Sequence, residues 1–130
     1  MLGKVEYWLN LCDDNFISAK ILLNGNRFLD TAFFCHQITE KALKAVVEHN
    51  TDESPPKIHD LKKLAVKGGI FDSLSESQIE FLKELEPFNI EARYPEYKAN
   101  IAKTLNKERT EKIYKETEAF LCWVKQKLEK

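Results

Sequence analysis

Arg27-Phe-Leu-Asp-Thr-Ala-Phe-Phe-Cys-His-Gln-Ile-Thr-Glu-Lys-Ala-Leu-Lys-Ala-Val-Val-Glu-His49 runs without a glycine or a proline, and its pattern decides the fold. At 100° per residue, Phe28, Leu29, Ala32, Phe33, Phe34 and Cys35 cover nearly the whole circumference, so the first half is expected to be buried on most sides. In the second half the apolar sector narrows to Ile38, Ala42, Leu43, Val46 and Val47. His36, Gln37, Glu40, Lys41, Lys44 and Glu48 take the other side, with His36, Glu40 and Lys44 in an i, i+4 ladder. The spacing predicts a central helix over about 27–49.

The same period extends outward. Val5, Trp8, Leu9, Cys12, Phe16, Ala19, Leu22 and Leu23 predict a first helix over about 4–23, closed by Asn24-Gly25-Asn26, residues that tolerate a left-handed cap. Pro55-Pro56 bars any helix from crossing the polar loop after Thr51. His59-Asp60-Leu61 opens a short helix that stops at Gly68-Gly69. Ser75-Glu-Ser-Gln78 has the form of a capping box for a helix carrying Ile79, Leu82 and Leu85, which Pro87 kinks or ends. Residues 88–103 read as irregular or weakly helical, and a last helix over about 107–129 shows Ile113, Thr117, Phe120, Val124 and Leu128.

Four Gly and four Pro in 130 residues are roughly half the usual frequency, too few turn-formers for a sandwich or barrel. The expected class is all-α, an up-and-down bundle of four to five helices forming one domain over 1–130. The formal net charge of −1 gives no global field to recruit nucleic acid or an anionic membrane. Charge is nonetheless uneven. Lysines 57, 62, 63 and 67 face one acid, Asp60; 98–115 is basic; 72–91 is acidic. A local basic surface beside an acidic one suits a complementary protein or an RNA backbone, and ordinary solvated helix faces would look the same. No apolar run is long enough for a bilayer and Met1-Leu-Gly-Lys-Val-Glu lacks the order of a signal peptide, so the expected location is cytoplasmic. Cys12, Cys35 and Cys122 sit among apolar neighbours without metal-ligand spacing and are expected to be buried free thiols. Gly68-Gly69 lacks dinucleotide-loop and P-loop contexts, so no metal or cofactor is expected.

The order of residues resembles one family in particular. Asp14, Ala19-Lys-Ile-Leu-Leu23, the stretch from Arg27 to Ala45, Pro55-Pro-Lys-Ile-His-Asp-Leu61 and Ala92-Arg-Tyr-Pro95 together look like the HEPN family, and the likeness runs from the first helix to Trp123. That resemblance implies a helical bundle, commonly homodimeric, often encoded beside a minimal nucleotidyltransferase in a prokaryotic toxin–antitoxin or related pair. Many members are ribonucleases with an arginine followed four to six residues later by a histidine. This chain departs from that pattern: its arginines are Arg27, Arg93 and Arg109, its histidines His36, His49 and His59, and no pair has that spacing.

The residues expected to contact a nucleotide or a partner are His36, Glu40, Lys41, Lys44, His59, Arg93 and Tyr94. Arg93 presents a planar fork for phosphate and Tyr94 a ring for a base; alternatively Arg93 pairs with a glutamate and Tyr94 packs inward. His59 could shuttle protons or simply pack, while Asp60 caps a helix. Glu40 and Lys44 have the order of a surface ion pair, the default, or could hold a phosphate with Lys41 and His36. A non-catalytic binding module is the leading expectation. A ribonuclease pairing His59 with Arg93, or a purely structural dimerisation domain, are the alternatives.

Overall fold

The computed structural model describes residues 3–90 and 93–129. Ala92, which begins the Ala92–Pro95 stretch, and Glu91, which ends the acidic segment, lie outside the described residues. Six α-helices follow one another: α1 (Lys4–Asn24), α2 (Phe28–Thr51), α3 (Leu61–Lys67), α4 (Glu76–Leu85), α5 (Pro95–Ala102) and α6 (Lys107–Leu128), with single 3₁₀ turns at Phe71–Ser73 and Glu86–Phe88. No strand occurs among the described residues, and the all-α bundle is as expected.

α1 and α2 form an antiparallel hairpin, as bonds from Cys12 Sγ to the Ile38 carbonyl (3.4 Å) and from Trp8 Nε1 to Glu48 (3.4 Å) require. Asn26, at φ 61°, takes the left-handed position in the connection. α6 returns against both, antiparallel to α1, placing Lys125 at Asp13 (2.8 Å) and Tyr114 on Phe16 (ring centroids 4.7 Å). The core between them holds Cys12, Ala19, Ala32, Cys35, Ile38, Ala42, Leu43, Val46, Ile113, Phe120 and Val124. Each larger aliphatic chain so enclosed contributes about 1.5–3 kcal/mol.

Local signals set the shorter elements. Asp60 caps α3 by accepting from the Lys63 N–H (3.0 Å), and Ser75 with Gln78 forms the reciprocal capping box of α4. Gly68 ends α3 where an added Cβ would lie 2.9 Å from Val46 Cγ1, so the backbone there lies against α2; Gly69 takes φ +75°.

Three expectations are corrected. Residues 95–102 are a regular helix, because Pro95 occupies the first turn, where its missing N–H costs nothing, and Tyr94 before it is extended. Cys12 and Cys35 are buried, but Cys122 is exposed: neighbours one position away point about 100° around the helix and do not cover it. Within α2 it is the second half that is more enclosed. Phe28, Leu29, Phe33 and Phe34 are only half-buried, whereas His36, Glu40 and Lys44 of the supposedly solvated ladder are buried. A helical wheel carries no information on what other segments lay over its polar side.

Candidate functional site

Glu40 is the centre of a buried polar cluster. Its Oε2 accepts from Lys44 Nζ at 3.0 Å one turn on, and its Oε1 lies 3.0 Å from His59 Nδ1, contributed by the loop before α3. The other imidazole, His36, stands 3.8 Å from the same Oε1, too far for a hydrogen bond. Trp8 of α1 closes the far end: Lys44 Nζ lies 5.7 Å from its ring centroid and its Nε1 donates to Glu48. The ion pair expected on the surface is therefore an interior one. Its two charges are held by each other, by an imidazole and by an indole face.

The two histidines differ chemically. His36 is wholly buried with neither ring nitrogen bonded, and burial drives its pKa down to about 4, with His59 acting in the same direction and Glu40 opposing. It is neutral near pH 7. The His59 side chain is 58% exposed, and its Nδ1–H donates to the Glu40 carboxylate.

Arg93 and Tyr94 lie in a different part of the chain, just before α5. The Glu86 carboxylate accepts from the Leu61 N–H (3.3 Å), directly after His59-Asp60. Burial raises its pKa; the Leu61 bond lowers it, Asp60 raises it, and the Arg93 charge lowers it. Arg93 lies 4.9 Å from the centroid of the Tyr97 ring, and Tyr97 is anchored through its hydroxyl to the Pro87 carbonyl (3.2 Å). Tyr94 is 84% exposed and does not pack into the bundle.

Of the seven expected residues, His36, Glu40, Lys44 and His59 thus meet, and no contact joins Arg93, Tyr94 or Lys41 to them among the described residues. Lys41 is half-buried on the side of α2 that faces Cys12, whose thiolate its charge favours. Trp8, Glu86 and Tyr97 were not singled out from the sequence: Trp8 read as core, Glu86 as one of many acids, and Tyr97 lay in the stretch read as irregular. The basic segments are not bare, since Lys67 pairs with Glu53, Arg109 with Glu84 and Lys112 with Glu116.

The family model of the HEPN domain matches residues 5–127. The chain belongs to the HEPN family. No match was found among curated proteins or among solved structures. For this HEPN domain, whose match reaches into every helix, His36, Glu40 and Lys44 on the polar side of α2 are interior, and His59, Arg93 and Tyr94 are the expected site residues that are exposed. No described helix is long and apolar enough to cross a membrane.

Proposed function

We propose that this HEPN domain is a non-nuclease binding module. In this reading it is homodimeric and cytoplasmic, partners a minimal nucleotidyltransferase in a toxin–antitoxin-type pair, and contacts a nucleotide or an RNA phosphate through His59, Arg93 and Tyr94. The observation that carries the reading is the anchoring of the two phosphate-binding groups. His59 is fixed from behind by buried Glu40, and Arg93 by the face of Tyr97. Both side chains are exposed; Arg93 always donates, His59 donates from Nε2 when its ring carries both protons, and pre-organised donors lose less entropy on binding an anion. Free thiols at Cys12 and Cys35 fit a reducing compartment.

Calorimetry with nucleoside monophosphates and short RNA tests the reading. Binding should weaken at least tenfold in His59→Ala and Arg93→Ala proteins whose melting temperatures match the parent. Sedimentation should give a dimer, and co-expression with a neighbouring nucleotidyltransferase a stable complex. Absence of all binding and of any complex overturns it.

One observation favours a second reading, a ribonuclease. An imidazole whose Nδ1–H is held by a carboxylate is oriented to exchange a proton at Nε2, the task of a general acid or base. Cleavage of total RNA or tRNA that is lost in His59→Ala and Arg93→Ala proteins would establish this reading in place of the first.

A further inference from the structure

A cleft of about 340 Å³ lies between the start of α3, the 3₁₀ turn at Phe71–Ser73 and α4. That is the small end of the roughly 300–1,000 Å³ range of small-molecule sites. Its walls are mostly apolar, from Phe71, Ile79 and Leu82, and its rim carries two lysines, Lys62 and Lys83, with two carboxylates, Asp60 and Glu86. Asp60 follows His59 in the chain, and Glu86 accepts from the Leu61 N–H at the start of α3. The cleft therefore begins one residue from His59 of the site proposed above.

We infer that this cleft holds the base of the bound nucleotide and that its polar rim selects guanine, an inference that rests on the nucleotide-binding reading. Phe71 offers a flat stacking surface. Lys62 Nζ lies 5.4 Å from its ring centroid, so that ring is met by a flexible cation that can move aside without opening a packed contact. Each carboxylate spends one oxygen on α3: Asp60 Oδ1 on the Lys63 N–H and Glu86 Oε1 on the Leu61 N–H. The second oxygen of each has no hydrogen-bond or salt-bridge partner among the described residues. An ionised carboxylate oxygen accepts and does not donate, so the edge of a base set against these two presents N–H groups. Guanine offers adjacent N1–H and N2–H donors on one edge, and its O6 and N7 acceptors suit the ammonium of Lys62. Adenine brings an acceptor, N1, against the carboxylates, and uracil has a single ring donor between two carbonyls.

The test is calorimetry on the full chain with GMP, AMP and ribose 5-phosphate. GMP should bind at least tenfold tighter than AMP. Phe71→Leu and Glu86→Gln should each weaken GMP at least fivefold without weakening ribose 5-phosphate, whose phosphate gains if anything from the loss of the Glu86 charge. Glu86→Gln retains an oxygen for the Leu61 N–H, and Phe71→Leu leaves that bond untouched, so unchanged melting temperatures separate recognition from folding. Equal affinity for GMP and AMP overturns the inference. So does GMP binding that responds to His59→Ala and Arg93→Ala but ignores both cleft variants, a result that leaves the nucleotide-binding reading standing. If none of the three probes binds, both fall.

Discussion

Glu40 and His59, nineteen residues apart, are joined by a 3.0 Å hydrogen bond in which the carboxylate is 4% exposed and the imidazole 58%. The buried partner positions the exposed one. That asymmetry depends on Lys44, which neutralises Glu40 from inside the bundle.

Removing one member of an interior pair strands the other charge. Glu40→Ala should destabilise the protein by about 3 kcal/mol in urea denaturation, because Lys44 then lies under Trp8 with no counter-ion. Glu40→Ala combined with Lys44→Met should recover more than half of that loss. A single variant costing under about 1 kcal/mol would mean that the pair is not what fills this space.

His36 gives stability a pH dependence of known sign. Its pKa falls from 6.5 to about 4 on folding, chiefly through burial, so the unfolded chain takes up the proton first. The contribution is complete above pH 6.5, declines as pH drops, and is fully lost by about pH 4, amounting to about 3 kcal/mol. His36→Leu should remove that part of the slope while leaving stability at pH 7 equal or higher, since neither ring nitrogen has a partner to lose. Parallel stability curves for the two proteins would refute the assignment.

The approach of Gly68 to Val46 is a steric prediction. Gly68→Ala places a methyl 2.9 Å from a stiff, buried β-branched side chain and should cost about 2 kcal/mol. Pairing it with Val46→Ala should cost less than the sum of the two single changes, because the second substitution vacates the space the first needs. Strict additivity in thermal or urea denaturation would show that the contact is relieved elsewhere.

The cysteines should separate by accessibility. Cys122 is exposed and should react promptly with a thiol reagent. Burial pushes both Cys12 and Cys35 up to about 12, and Cys12 also donates to the Ile38 carbonyl, so these two should react only as the bundle opens. Three thiols reacting at one rate in native buffer would contradict the packing of α1 on α2.

What could be read from the residues was what depends on near neighbours in the chain. Periodicity gave α1, α2 and α6, and caps at Asp60 and Ser75 gave the starts of α3 and α4, because a cap is satisfied within three residues. α5 escaped because Pro95 marks the end of one pattern as readily as the first turn of another, and no residue of α5 is buried to supply a periodic stripe. The candidate site was legible as a set of residue types and not as an arrangement. Glu40 was expected on a solvated face; the long-range return of His59 onto its carboxylate, and of Trp8 over its partner Lys44, is not visible in local spacing.

Only Gly25, Asn26 and Arg27 separate α1 from α2, and these two helices share the most extensive interface in the molecule. Most of that interface forms by closing a very short loop, at little entropic cost. α6 must instead be brought back across the whole intervening chain before Phe120 and Val124 reach the core. Folding is therefore expected to proceed from the α1–α2 hairpin, with substitutions at that interface slowing the forward rate and substitutions in α6 mainly speeding unfolding.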